Sequence, residues 1–180
     1  MTTQIWNIDS SHSGIHFSVR HLVISKVRGT FARWSGTITL DGEDLARAKV
    51  DVVIDASSLD TGVADRDTHL RSADFFDVEK FPEITFKSTR VEPAGGDRWR
   101  VTGELALHGV TREVVLDVEH SGRAKDPWGN TRLGFSAKTA LERKEFGLVW
   151  NQTLDAGGLM IGERVDVDID LEAVHQVAAA

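Results

Sequence analysis

Val165-Asp166-Val167-Asp168-Ile169-Asp170-Leu171-Glu172 is a run in which apolar and acidic side chains take strict turns. In a β-strand successive side chains point to opposite faces, so this run has one wholly apolar face and one wholly charged face. A helix, with its period of about 3.6 residues, would bury carboxylates beside the valines. The stretch therefore reads as a strand with one face in a core and the other in water.

The same period of two recurs back toward the N-terminus. Leu133, Phe135, Ala137 and Leu141 keep it, as do Val114, Leu116 and Val118 set against Glu113, Asp117 and Glu119. Trp99, Val101, Leu105 and Leu107 alternate with Arg100, Thr102 and Glu104, and Ile84 and Phe86 with Thr85 and Lys87. Val50, Val52 and Ile54 face away from Asp51 and Asp55. Trp34, Ile38 and Leu40 face away from Arg33, Ser35, Thr37 and Thr39, and Ile15, Phe17 and Val19 from His16, Ser18 and Arg20. Turn signals separate the segments: Asp41-Gly42, Ala94-Gly95-Gly96-Asp97, His108-Gly109 and Trp128-Gly129-Asn130.

About eight consecutive antiparallel strands with one apolar face each must close or pack, and closure into an up-and-down barrel removes exposed edges. A two-sheet sandwich is the competing architecture. Gly36, Gly103 and Gly134 interrupt strands where a barrel bends or backbones approach, and Gly36, Gly103 and Ala137 on the apolar face are expected to leave room along the axis. Alternation fails over Ser58–Pro82, read as one or two short helices across a barrel mouth with Ser72 as an N-cap before Ala73-Asp74-Phe75-Phe76. It fails again over Arg143–Gly162, while Val177–Ala180 reads as a frayed tail. One domain spans residues 1–180, without linker or repeat.

The chain has 180 residues, 41% hydrophobic and 27% charged, with a net charge of −7. That balance is ordinary globular usage, and the negative surplus opposes binding to phosphate backbones, so nucleic acid is not an expected partner. The absence of cysteine excludes disulfides and thiolate chemistry. No run is long and apolar enough for an integral membrane segment, and the start lacks the features of a secretory signal. The expectation is a cytoplasmic protein, periplasmic or secreted only if a leader was removed.

Candidates for chemistry are few. Seven histidines invite a metal reading. On a strand, however, His12 and His16 share a face at a distance while His21 lies on the other, so no metal site is expected. Ser11-His12-Ser13 pairs a nucleophile with a base, but neighbours on a strand point apart. Asp65-Arg66-Asp67 with His69 supplies acid, base and cation, and reads better as a salt-bridged helix start that holds the loop. The alternating Asp166, Asp168 and Asp170 lack the glycine and distal Glu of a calcium loop. No catalytic residue is expected.

Several motifs occur in order over nearly the whole chain. They are Trp6-Asn7-Ile8-Asp9-Ser10-Ser11-His12-Ser13, Phe17-Ser18-Val19-Arg20-His21, Gly29-Thr30-Phe31 with Gly36, and Ile54-Asp55-Ala56-Ser57-Ser58-Leu59-Asp60-Thr61-Gly62. Arg66-Asp67, His69-Leu70-Arg71-Ser72, Phe75-Phe76-Asp77, Phe81-Pro82, Ile84-Thr85-Phe86 and Gly103–Arg112 follow, then Arg143–Gly147 and Gly162–Val165. In these the sequence resembles the YceI-like family of lipocalin-like, polyisoprenoid-binding proteins. The resemblance implies an all-β, extended eight-stranded antiparallel barrel with short helical insertions, and often a homodimer. It implies binding, storage or transport of a long-chain isoprenoid (polyprenyl or isoprenoid quinone) or another amphiphilic lipid in a central tunnel, with no cofactor beyond that lipid. The tail would be lined by Phe17, Val19, Trp34, Ile38, Val52, Ile54, Phe86, Leu105, Leu107, Leu116, Val118, Phe135 and Ala137. Phe75, Phe76, Trp150 and Leu159 would gate a mouth. His21, Arg66, Asp67, His69 and Arg143 would orient a headgroup or pin the helices. The rival readings are a ligand-free structural or stress-response interaction module, in which side chains fill the barrel, and, third, a lipid-headgroup enzyme using Asp67 and His69.

Overall fold

A computed structural model describes residues 2–175. Its strands are β1 (Thr3–Ile8), β2 (Gly14–His21), β3 (Ser25–Phe31), β4 (Trp34–Asp41), β5 (Asp44–Asp55), β6 (Leu59–Asp60), β7 (Glu83–Pro93), β8 (Arg98–Leu107), β9 (Val110–Lys125), β10 (Thr131–Glu142) and β11 (Ile161–His175). The α-helix described is α1 (Ala64–Arg71), and single 3-10 turns cover Ser10–His12, Ala56–Ser58 and Arg143–Phe146. The tail Val177–Ala180 lies outside the described residues.

All pairings are antiparallel, in the order β1-β4-β5-β7-β8-β9-β10-β11-β2-β3-β6, and β1 returns to β11. Two hairpin arms are bent: β11 pairs with β2 from Ile161 to Asp170 and with β1 from Ala173 to His175, so β1 and β2 act as one stave broken at Ser10–His12. β3 and β4 make the next stave, and β6 prolongs β5 beside β3. The eleven strands thus trace a closed barrel of eight staves. Every segment of alternation read from the sequence lies on one of them. Leu107 pairs with Val110, leaving the two-residue loop His108-Gly109, both with positive φ, the backbone that matches the twist of a hairpin and favours glycine. Gly134 sits at a β-bulge, where the register to β9 shifts.

The core is split between the two ends of the barrel. Toward the β1 end, Trp6, Ile38, Leu40, Leu133 and Ala173 form a plug, in which Trp6 is 1% exposed. Toward the other end, Ile15, Phe31, Ile54, Leu59, Ile84, Leu107, Phe146 and Leu148 pack beneath the helical insertions. Each such side chain removed from water contributes about 1.5–3 kcal/mol.

Three expectations are corrected. The helix in the first irregular stretch lies at Ala64–Arg71, and Ser72 closes it, its N–H and hydroxyl both donating to the His69 carbonyl; the Ser72 hydroxyl also accepts from the Asp74 N–H at 3.3 Å, but what it caps is a turn and not a helix. The two glycines on the apolar face do not leave room. A Cβ on Gly36 would lie 2.8 Å from the Ile8 side chain, and one on Gly103 would lie 2.5 Å from the Phe86 ring, so neighbouring side chains already occupy those spaces. Ser11-His12-Ser13 is not strand either: Ser10–His12 is a 3-10 turn capped by Asp9, whose carboxylate accepts from the Ser11 N–H.

Candidate functional site

Between the two core clusters the barrel is hollow. A cavity of about 400 Å³ runs along the axis, within the range of about 300–1,000 Å³ typical of small-ligand pockets. Its wall is built from the inward parity of the staves. β2 supplies Phe17, Val19 and His21; β4 Trp34 and Ile38; β5 Val52 and Ile54; β7 Phe86; β8 Leu105 and Leu107; β9 Leu116 and Val118; β10 Phe135 and Ala137. Trp34, Val52, Leu105, Leu116, Val118 and Phe135 are half-buried, although they point inward, because they border a void rather than each other. The alanines of that wall are Ala48 and Ala137.

The mouth lies at the end carrying α1 and residues 147–161. Phe75 and Trp150 have ring centroids 5.4 Å apart, and the His69 ring stands edge-on to both, at 5.0 and 4.6 Å. Phe76 meets Phe31, which packs on Phe17. Among the described residues, the charged and imidazole side chains lining the cavity are Arg20, His21, Arg66, His69 and Arg143, with no carboxylate.

Two of these cations, Arg66 and Arg143, are held through backbone and hydroxyl oxygens. Arg143, 4% exposed, donates to the carbonyls of Gly162, Leu148 and Trp150, and more distantly to that of Ile161. Burial pushes its pKa below the usual arginine value, which the Glu163 charge partly offsets. Arg66 donates to the Thr61 hydroxyl and carbonyl at 2.7 and 2.8 Å. Asp67 accepts from the Thr61 N–H and hydroxyl, and Arg71 reaches the carbonyls of Ser57 and Leu59. The 64–71 helix is therefore pinned by hydrogen bonds to the 57–61 segment, where the sequence suggested ion pairs.

Residues 6–173 match the YceI-like domain family. The chain belongs to the YceI-like family. It is 44% identical over 166 residues to a UPF0312 protein of Vibrio parahaemolyticus, covering 92% of this chain and 84% of the relative. Among solved structures it is similar to Burkholderia cenocepacia BcnA, with a TM-score of 0.80 and 22% identity over 92% of this chain and 98% of the other. It is also similar to a polyisoprenoid binding domain from Saccharophagus degradans, with a TM-score of 0.68 and 20% identity over 95% and 98% of the two chains. At those identities the two structures establish a shared fold.

Of the residues that the sequence and the resemblance to the YceI-like family assigned to the ligand site, all line the cavity except Asp67 and Leu159. Asp67 is buried beneath Thr61, and Leu159, 38% exposed, lies outside the lining, so neither faces the axis. Residues not singled out for the site also line it, notably Val165, Val167, Ile169 and Leu171 of β11, together with Ile15 and Trp99. Their alternation was the signal that could have placed them there.

Two other clusters bear on chemistry. Asp67 and His69 do not work as a pair: His69 Nε2 bonds Asp74 at 2.9 Å while Asp67 serves Thr61. His12 is gathered with Asp9 and Glu172 in a grouping with metal-ligand spacing. However, Arg132 Nη1 lies 2.8 Å from both Asp9 and Glu172, so a guanidinium already holds the cation position. Ser11 Oγ and Asp9 Oδ2 both approach Nδ1 of the exposed His12 ring, at 3.1 and 2.9 Å. A relay needs nucleophile and carboxylate on different ring nitrogens, so this arrangement caps a turn.

Proposed function

We propose that this YceI-like barrel carries a long-chain isoprenoid, or a lipid of similar shape, with its tail along the axis and its polar head at the mouth. The continuous apolar void inside the closed barrel is the observation that carries the reading. Transfer of each CH₂ from water into such a wall contributes about 0.8 kcal/mol, so a multi-unit tail supplies binding energy without any specific polar contact. Arg20, His21, Arg66 and His69, without a carboxylate among the lining residues, suit a head rich in hydrogen-bond acceptors, such as a quinone or a phosphate. The fold shared with a polyisoprenoid binding domain supports the same reading.

Protein purified from cells and analysed by denaturing mass spectrometry is expected to release a long-chain lipid. Delipidated protein is expected to take up a prenyl chain, and Leu105→Arg, which places a charge in the wall, to abolish uptake while leaving the far-ultraviolet spectrum of the barrel. Empty protein with no affinity for prenyl or fatty chains would overturn the proposal.

A further inference from the structure

The β2–β3 hairpin turns through Leu22, Val23 and Ile24, and neither turn chemistry nor packing explains those residues. Leu22 and Val23 have φ of 54° and 67°, the left-handed region that glycine and asparagine fill at low cost and that a β-branched residue rarely enters. Nor are the two β-branched side chains used inside the protein: Val23 is 71% exposed and Ile24 82%, beside Leu22 at 37%. The tip stands on the rim of the mouth, because the Leu22 N–H donates to the Met160 carbonyl at 2.8 Å and His21 pairs with Ile161. The adjoining segment, tied to Ile161 through Asn151 and Arg143, adds the exposed Val149 and Leu159. Apolar surface thus continues from the tunnel wall over the rim and into solvent.

Charge identifies the surface that this rim fits. Directly below the tip, Arg20 and Lys26 face one another across the hairpin, a like-charge pairing that disfavours the strand pair, and neither forms an ion pair among the described residues. Arg28, further down, shares a shallow depression with Asp60 and Asp168, and Glu163 is paired with Lys144; Asp155 is the acid of the neighbouring turn. Uncompensated positive charge therefore collects at one aliphatic tip of a chain whose net charge is −7. An aliphatic tip above a cationic collar is complementary to an anionic bilayer surface, with acyl chains for the one and headgroups for the other. Protein interfaces instead concentrate aromatic and arginine anchors at their centres.

We infer that the Leu22-Val23-Ile24 tip, with Arg20 and Lys26, docks the mouth of the barrel onto anionic lipid bilayers. The docking does not depend on what fills the tunnel, so it is measured on delipidated full-length protein by co-sedimentation with vesicles. Vesicles of equal parts phosphatidylglycerol and phosphatidylcholine are expected to retain the protein, and vesicles of phosphatidylcholine alone to retain it weakly. Val23→Asp combined with Ile24→Asp is expected to reduce retention by about tenfold or more, with Lys26→Glu reducing it on anionic vesicles only. Leu22→Asn combined with Val23→Gly relieves the left-handed backbone, so its Tm is expected to equal or exceed that of the unmodified chain while retention falls. All of these variants are expected to keep uptake of a prenyl chain diluted from ethanol. Absence of retention, equal retention by the tip variants, or loss of retention on Trp128→Ala alone, at the exposed turn between β9 and β10, would overturn the inference.

Discussion

Arg132 shows how one side chain holds three segments. Its guanidinium bonds Asp9 before the 3-10 turn, Asp126 in the β9–β10 loop and Glu172 on β11, at 2.8, 2.9 and 2.8 Å. Hydrogen bonds from Ser11, Arg132 and His12 hold the Asp9 carboxyl far below the usual range. At Asp126 desolvation alone would raise the pKa, but bonds from Arg132, Asn130 and the Trp128 N–H bring it down from 3.8 to about 2. Both groups bind protons less readily folded than unfolded. Their contribution is therefore present above the ordinary carboxylate value and is lost as pH falls through the folded value. Arg132→Ala is expected to lower Tm at neutral pH, with the gap to the unmodified chain closing between pH values of about 4 and about 2. Thermal melts across that interval check it, and a gap constant with pH would remove the network from the account.

At the scale of the element, the mouth is closed by two pieces that touch through rings: α1 with its following turn, and the 147–161 segment. Ring pairs of this kind contribute about 0.5–1.5 kcal/mol each beyond area, so losing the two pairs that Trp150 makes with Phe75 and His69 is expected to open the mouth. Trp150→Ala should release a bound prenyl chain about tenfold faster in a stopped-flow chase, with Tm lower by a few degrees and the melt still cooperative. The strands were legible in the sequence because period-two alternation is written residue by residue; their parity said which side chains share a face, while the tunnel they line came from the resemblance to the YceI-like family. β3 was less legible: Val27 and Phe31 face inward on either side of Gly29, and a Cβ there would strike the Phe17 ring at 2.4 Å. The break at Ser10–His12 was hidden differently. An Asp side chain bonding its own chain two residues on makes a turn from residues that otherwise continue an extended pattern. Ser72 misled because serine bonds carbonyls at a helix end as readily as amides at a start.

For the whole molecule, the closed sheet fixes how long a ligand can be. The lining of β11 runs from Ile161 to Leu171, and the Trp6 plug closes the end opposite the mouth. A tail can gain contact only until it reaches that plug. Below that limit each five-carbon unit should add between about 1.5 kcal/mol, from the efficiency typical of larger ligands, and about 4 kcal/mol, from full transfer of five carbons. Affinity is therefore expected to rise at least about tenfold per unit along a series of prenyl alcohols and then to stop rising. Replacing Ala137 by Phe shortens the open axis from the side and should move the break to a shorter chain. It should leave the affinity of chains below the new break unchanged. Titration calorimetry on the two proteins with the same series measures both slopes and breaks. A break that does not move with Ala137→Phe would mean that the tail lies somewhere other than along the axis.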